Sequence, residues 1–174
     1  MRWVNHIAQS AAVAAVFNPV ALPAAVLGST APDWLEWFGR WRGRRIEHRR
    51  VTHYLVFWLV LAVFGHFVWD FKGYIFWFAV GGSIHWIQDA LTITGAPVGW
   101  WSRRRTTLLG GRFRTGSSGE YMVTCFVVMV CALVVWQTRT PDSLFSPFFP
   151  DWKARYEAGL VDASEWKAKR FDWF

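Results

Sequence analysis

The 174-residue chain has little cysteine, with only Cys125 and Cys131. Both lie in one apolar stretch, and their six-residue spacing puts them on different faces of a helix. No CxxC or similar spacing occurs, so the sequence excludes a thiolate metal site and gives no disulfide framework. We expect the two cysteines to be small apolar residues and any metal site to use other ligands.

The sequence also lacks the marks of a secretory signal, a repeat array or a flexible linker. Arg2 is the one basic residue before the first apolar stretch, and Pro19 and Pro23 interrupt that stretch, so we do not expect cleavage as a signal peptide. No internal repeat or low-complexity segment is found. The length suits one domain.

Acidic residues are fewer than basic ones, 12 against 19, which gives a formal net charge of +7. A basic balance can indicate nucleic-acid binding, but here the arginines flank apolar stretches. Membrane topology and anionic head groups explain such flanking charges. We therefore expect membrane lipids as partners and no specific nucleic acid.

Apolar and aromatic residues are abundant. They make up 53% of the chain, with 14 Trp and 15 Phe, and they cluster at 7–28, 51–69, 74–93 and 121–138. About 20 helical residues cross a bilayer. The sequence predicts an all-α integral membrane helical bundle with three to four spans. The first stretch either crosses or turns back near Pro19 as a re-entrant helical hairpin.

The connections between these stretches set the topology. A short turn joins the second and third stretches as an antiparallel pair, so loops 28–50 and 94–120 lie on one side. Both loops are rich in arginine, which makes that side cytoplasmic. We predict a multi-pass protein of a bacterial inner membrane, with an embedded domain over 1–138. The tail over 139–174 is aromatic and mixed in charge, and we expect it to be interfacial with short helices from Asp151 and Ser164.

Ionisable side chains inside apolar stretches are costly and usually functional. His53 precedes the turn of the antiparallel pair by about as many residues as Asp89 follows it. At ~1.5 Å per residue, both lie at one level near the cytoplasmic end. His85 shares the helix face of Asp89. His66 and Asp70 lie ~20 Å away at the opposite surface, where we expect an interfacial ion pair or hydrogen bond.

Further polar residues can join this level. Asp33 follows Pro32 after the first apolar stretch, although it also suits a helix cap, and Glu36 follows one turn later. His6 joins only if the first stretch turns back. Imidazole and carboxylate without thiolate suit zinc, manganese or iron(II). The predicted metal ligands are His6, Asp33, His48, His53, His85 and Asp89.

Several motifs occur in a fixed order: His6, then Pro32-Asp33, HRRVTH at 48–53, HWIQDALTITGAP at 85–97 and RTGSSGE at 114–120. In this combination the chain resembles the membrane-bound, metal-dependent hydrolase family typified by YdjM, over about residues 1–135. It departs from the family pattern at Leu35, where the family usually has Asp, and at Tyr54, where it usually has Ser.

The resemblance implies a helical fold distantly similar to zinc-dependent phospholipase C, and a metal-dependent hydrolase activity. It implies zinc, as one to three ions, and adds Glu120 as a further candidate site residue. Glu36 is a candidate catalytic residue, either as general base or as a residue that orients a ligand.

Arginines in the two cytoplasmic loops, next to the predicted metal ligands, suit phosphate binding. They could instead set the membrane topology and contact only bulk lipid head groups. The leading hypothesis is hydrolysis of a phosphoester in a phospholipid or lipid-linked phosphate. The alternative is a non-catalytic membrane protein whose His and Asp cluster staples the helices and which serves a protein partner or a homo-oligomer. An ion or proton carrier fits less well, since it needs ionisable groups throughout the bilayer depth. The predicted substrate-binding residues are Arg49, Arg50, Arg103, Arg104 and Arg105.

Overall fold

The computed structural model describes residues 1–43, 49–70, 73–102, 104–138, 157–159 and 164. Over these residues the chain is mostly helical, with one small two-stranded sheet, which confirms the predicted all-α class. The elements are α1 (Trp3–Phe17), α2 (Leu22–Trp41), α3 (Leu55–Phe67), α4 (Tyr74–Ala90), β1 (Ala96–Pro97), β2 (Arg105–Thr106) and α5 (Ser118–Thr138), with 3-10 turns at Pro19–Ala21 and Val51–His53.

The first apolar stretch turns back as a helical hairpin. α1 ends at Phe17, and Asn18 leaves the helical conformation before a 3-10 turn that begins with Pro19. The side chain of Asn18 accepts a hydrogen bond from the backbone N–H of Ala21 at 3.3 Å. A proline has no N–H to continue the hydrogen bonding of a helix, so α1 ends before Pro19. The hairpin returns α2 to the end of the molecule where α1 began.

α3 and α4 form the predicted antiparallel pair. Asp70, in the turn between them, accepts hydrogen bonds from the backbone N–H groups of Ile75 at 2.8 Å and Phe76 at 2.7 Å. Backbone N–H groups in the first turn of a helix have no acceptor within the helix. Asp70 supplies acceptors and so caps α4. Asp70 therefore has a structural role at the end of the bundle that is remote from His53.

α2 and α4 approach each other through glycines. A Cβ at Gly28 would overlap the carbonyl of Phe78, and a Cβ at Gly81 would overlap the carbonyl of Ala25. Only glycine allows the two backbones to lie this close. This contact brings the middle of α2 against the face of α4 that carries His85.

The connection after α4 folds over the same end of the bundle. Ala96 pairs with Thr106 and Pro97 with Arg105 in a short antiparallel sheet. The carbonyl of Pro97 accepts a hydrogen bond from the indole N–H of Trp86 at 2.7 Å. This fixes the start of the β1–β2 connection against α4.

α5 has 21 residues, and among the described residues it is the helix that is long and apolar enough to cross a membrane; α3 is a shorter apolar helix. The outward residues of α5 include Met122, Phe126, Leu133 and Trp136, all exposed. Large exposed apolar faces mark contact with a membrane or a partner. Most of the tail, including the predicted helices after Asp151 and Ser164, lies outside the described residues.

Candidate metal centre

His85 lies at the centre of a polar cluster at the end of the bundle. Its Nδ1–H donates to the carbonyl oxygen of Ser29 on α2 at 2.6 Å, an interaction that depends on the glycine contact between α2 and α4. Its Nε2 is buried without a hydrogen bond and lies 3.5 Å from Oδ2 of Asp89. A buried ring nitrogen in this state is a ready ligand for a cation.

The hairpin of α1 and α2 brings His6 to the same place. The rings of His6 and His85 stack with centroids 3.8 Å apart and an interplanar angle of 12°. Nε2 of His6 lies 3.8 Å from Oδ1 of Asp89. Both histidines are about 1% exposed, so solvent does not reach their rings.

The 3-10 turn before α3 delivers His53, which is fully buried. Its Nε2 lies 3.4 Å from Oδ1 of Asp33 and 3.8 Å from Oδ2 of Asp89. Its Nδ1 faces Oε1 of Glu36 at 3.0 Å. The level shared by His53 and Asp89 is therefore the one that the helix arithmetic predicts.

Two overlapping groups of side chains can hold a metal ion. Within each group, the potential ligand atoms lie within 4.8 Å of one another. Both groups include His85. Histidine nitrogens and carboxylate oxygens are suitable donors for divalent transition metals. The donor set and the buried Nε2 of His85 fit a bound cation. The groups are His6, His85 and Asp89, and Asp33, His53 and His85.

The carboxylates of the cluster favour positive charge on His53. Burial lowers the pKa of His53, but hydrogen bonds to Asp33 and Glu36 and the charge of Asp89 raise it more, so the net pKa lies above the usual histidine value. Burial raises the pKa of Asp33, but the hydrogen bond from His53 and the nearby imidazoles lower it to about 2. The ionised carboxylates stabilise a positive charge on the imidazole. A bound metal ion could supply that positive charge in place of the proton.

Arg49 enters the cluster from the segment before the 3-10 turn. Its Nη2–H donates to Oδ1 of Asp89 at 2.9 Å, an oxygen that the α-amino group of Met1 also contacts at 2.5 Å. Its Nη1–H donates to Oγ1 of Thr92 at 3.4 Å, and its backbone N–H donates to Glu36 at 2.7 Å. Arg49 is buried and has a positive φ of 57°, so packing around the cluster holds an unfavourable backbone conformation.

The cluster opens into a cavity of about 840 Å³, here called the metal cavity. Its described lining includes His6, Asp33, Glu36, Arg49 and Asp89, with Trp3, Trp34 and Trp37 nearer the surface. A separate cavity of about 330 Å³, here called the basic pocket, is lined by Arg49, Arg50, Tyr54, Ser102 and Arg105, with Trp100 and Pro97 beside them. Arg49 lines both cavities and is therefore shared between them.

Some of the other predicted site residues are not among the candidate ligands, and some are not described. Glu120 is buried at the start of α5 and accepts hydrogen bonds from the backbone N–H of Arg2, the side chain of Asn5 and the backbone N–H of Gly116. It belongs to neither ligand group. Arg104 is exposed and lines neither cavity. His48 and Arg103 lie outside the described residues.

The sequence did not predict several contributors to the cluster, among them Ser29, Trp3 and Thr92. The carbonyl of Ser29 orients His85, and no sequence signal marks a backbone carbonyl. Trp3 donates its indole N–H to Oδ2 of Asp33 at 2.6 Å. Thr92 donates to the carbonyl of Asp89 at 2.7 Å and accepts from Arg49, and its fixed spacing after Asp89 in the motif could have indicated it.

Comparison with known proteins identifies the family. The chain matches the family described as YdjM inner membrane protein over residues 1–142, a range that includes every described member of the cluster. Neither the curated proteins nor the solved structures give a significant match. The chain belongs to the YdjM inner membrane protein family.

Proposed function

We propose that this protein is a metal-dependent hydrolase that cleaves a phosphoester of a phospholipid or lipid-linked phosphate. The observation that carries the proposal is the state of His85: Nδ1 is bound to a backbone carbonyl, and Nε2 is buried among other potential ligands. Such orientation of an imidazole by an outer hydrogen bond is typical of metal-binding histidines. Zinc suits this donor set best.

The residues divide into ligands and supporting groups. His6, Asp33, His53, His85 and Asp89 hold the ion. When bound, a divalent ion acts as a Lewis acid on water and on a phosphoryl oxygen. Asp33 is the most accessible of the carboxylates, with 18% of its side chain exposed towards the metal cavity.

Glu36 acts as an orienting group in this proposal. Its Oε1 lies 3.0 Å from Nδ1 of His53 and accepts the backbone N–H of Arg49 and the hydroxyl of Thr52 at 3.2 Å. Oε1, with three such neighbours, is poorly placed to take a proton from water, and Oε2 faces the guanidinium of Arg40 at 3.6 Å. Of the two roles predicted for Glu36, orientation of a ligand is therefore the better supported.

The family consists of inner membrane proteins, so lipids surround the chain. We infer a multi-pass arrangement with the cluster near the cytoplasmic face. The described arginines at the cluster end include Arg2, Arg40, Arg42, Arg112 and Arg114, whereas the opposite end carries His66 and Asp70. Positive charge concentrates on the cytoplasmic side of inner membrane proteins.

A helix-stapling role is the second candidate, and the contact of Arg49 with Asp89 favours it. A guanidinium at 2.9 Å already compensates a carboxylate that the hydrolase proposal assigns to the metal. In the stapling role, the network of histidines, carboxylates and Arg49 joins the helices without turnover. Buried ion pairs of this kind are retained where they specify one arrangement of elements.

Elemental analysis of the purified protein tests the metal. We expect at least about one equivalent of a transition metal in the wild type and its loss in His85→Ala and in Asp89→Asn, since each removes a ligand. His66→Ala is the matched control, because this exposed histidine lies at the opposite end of the bundle. Metal content that is unchanged in His85→Ala would reject the site.

Turnover separates the two candidate functions. Phosphate-ester cleavage should be measured on phospholipids in mixed micelles, with and without a chelator. Cleavage that the chelator abolishes and zinc restores supports the hydrolase. A protein that binds metal stoichiometrically but cleaves no lipid phosphoester supports the stapling role instead.

A further inference from the structure

We propose that the basic pocket is a phosphate-binding subsite, separate from the metal cluster and next to it. Three arginines, Arg49, Arg50 and Arg105, line a cavity of about 330 Å³. That volume lies at the lower end of the range for ligand pockets, about 300–1,000 Å³. The role of this subsite in substrate recognition rests on the proposed function. Its ability to bind phosphate does not.

The side chains of the pocket suit a phosphate oxyanion. Guanidinium groups are planar and donate paired hydrogen bonds that match phosphate oxygens. The hydroxyl groups of Tyr54 and Ser102 add neutral donors at the same surface. The described lining includes these arginines and no Asp or Glu. A tetrahedral phosphate can accept hydrogen bonds from more of these donors at once than a planar carboxylate can.

The walls of the pocket are held in place before any ligand binds. On one side, the backbone N–H of Val56 at the start of α3 donates to the carbonyl of Val98 at 3.0 Å. On the other, Pro97 pairs with Arg105 across the sheet, and Trp86 binds the carbonyl of Pro97. The two halves of the lining, before α3 and within the β1–β2 connection, are thereby tied together. Preorganised donors lose less entropy when they bind.

Arg49 connects the subsite to the cluster. Arg49 lines both the basic pocket and the metal cavity, and its Nη2 lies 2.9 Å from Oδ1 of Asp89. An anion in the basic pocket therefore lies one side chain away from the ligands of the metal. In the proposed hydrolase, this subsite recognises the phosphate end of the substrate.

The rim of the pocket lies where a lipid head group can reach it. Trp100 beside the pocket is 72% exposed and Trp101 is 61% exposed. Exposed tryptophans are enriched at the level of lipid head groups. A lipid phosphate and a free phosphate ester share the chemistry that the pocket recognises, so the experiment includes both.

The test measures phosphate binding by titration calorimetry on the full-length protein in a neutral detergent with a chelator present. We expect saturable binding of inorganic phosphate, weakened about tenfold in Arg105→Gln and in Arg50→Gln by loss of one charge-assisted hydrogen bond. Arg112→Gln is the matched control: it removes the same charge from an exposed position outside both cavities and should change the affinity less than about twofold. Tyr54→Phe provides a second variant that keeps the ring if an arginine variant fails to fold.

The outcomes are distinct. Equal weakening by Arg105→Gln and Arg112→Gln would mean diffuse attraction and would overturn the subsite, as would absence of saturable binding or unchanged binding in both Arg105→Gln and Tyr54→Phe. Tighter binding of phosphatidic acid in mixed micelles than of glycerol phosphate would identify a lipid as the source, and equal binding would identify a soluble phosphate. Because the chelator removes metal, phosphate binding survives here even if the hydrolase proposal fails.

Discussion

Oε1 of Glu36 lies 3.0 Å from Nδ1 of His53, so a carboxylate on α2 orients an imidazole that the next segment of the chain supplies. This leaves Nε2 of His53 facing Asp33 and Asp89. The pattern of carboxylate, histidine and ligand position is the one that supports metal-binding histidines elsewhere. A residue outside the ligand set thus controls the geometry inside it.

Glu36→Gln should therefore weaken metal binding without removing a ligand. We expect a loss of metal affinity of about 10–100-fold, the usual effect of removing an outer partner of a ligand. Competition with a chromogenic chelator measures this affinity. The control is Arg40→Gln, because Arg40 contacts Oε2 of Glu36 at 3.6 Å from an exposed position and should have a much smaller effect. Wild-type affinity in Glu36→Gln would assign Glu36 no orienting role.

Metal affinity should rise with pH through the pKa of His53. That pKa is raised above the ordinary ~6.5, so a proton competes with the metal up to a higher pH than at a free histidine. Below the pKa, one competing proton lowers the affinity about tenfold per pH unit. Zinc titrations at about pH 6 and about pH 8 measure the effect. An affinity that stays flat or falls over this range contradicts the assignment of His53 as a ligand.

Stability of the metal-free protein should depend on pH with the opposite sign. A raised pKa means that the folded state binds the His53 proton more tightly than the unfolded state does. This contribution is complete below the unfolded pKa of ~6.5 and is lost as pH rises through the folded pKa. Thermal unfolding in a chelator, compared between the wild type and His53→Asn, isolates it. A wild type that gains stability relative to His53→Asn as pH rises contradicts the raised pKa.

Gly28→Ala should separate α2 from α4, because the added Cβ overlaps the carbonyl of Phe78 on the facing backbone. We expect a destabilisation of about 3 kcal/mol, or roughly 6–12 °C in the midpoint of thermal unfolding. The same variant should lower metal affinity, since the contact of His85 with Ser29 depends on this packing. Gly43→Ala is the control: it meets no atom within 4 Å and carries only the strain of its φ of +75°, about 1–2 kcal/mol. Equal effects of the two variants would contradict the close-packing argument.

The two ends of α5 should face opposite sides of the membrane. Its 21 residues extend about 31 Å, enough to cross the apolar core. With Cys125 and Cys131 replaced by alanine, an impermeant maleimide added to spheroplasts should label Gln137→Cys. Arg112→Cys should react only after the membrane is opened. Labelling of both positions from one side would exclude a crossing by α5.

Much of the arrangement was accessible from the sequence because helix geometry is regular. A rise of ~1.5 Å per residue fixes how far along a helix each side chain lies, so His53 and Asp89 could be placed at one level and His66 at the other end. Asn18 and Pro19 marked a possible turn, but the sequence left open whether α1 turned back. The observed turn brings His6 against His85.

The sequence by itself determined the helical class, the membrane setting and the axial level of His53, His85 and Asp89, since composition and helix rise depend on local chain properties. Tertiary structure alone decided which neighbours those ligands have: the carbonyl of Ser29 on His85, Glu36 behind His53, and Arg49 shared between two cavities. These relationships depend on how closely helices distant in sequence approach and how each is rotated. No local pattern encodes that, because the energy that sets it comes from packing between elements.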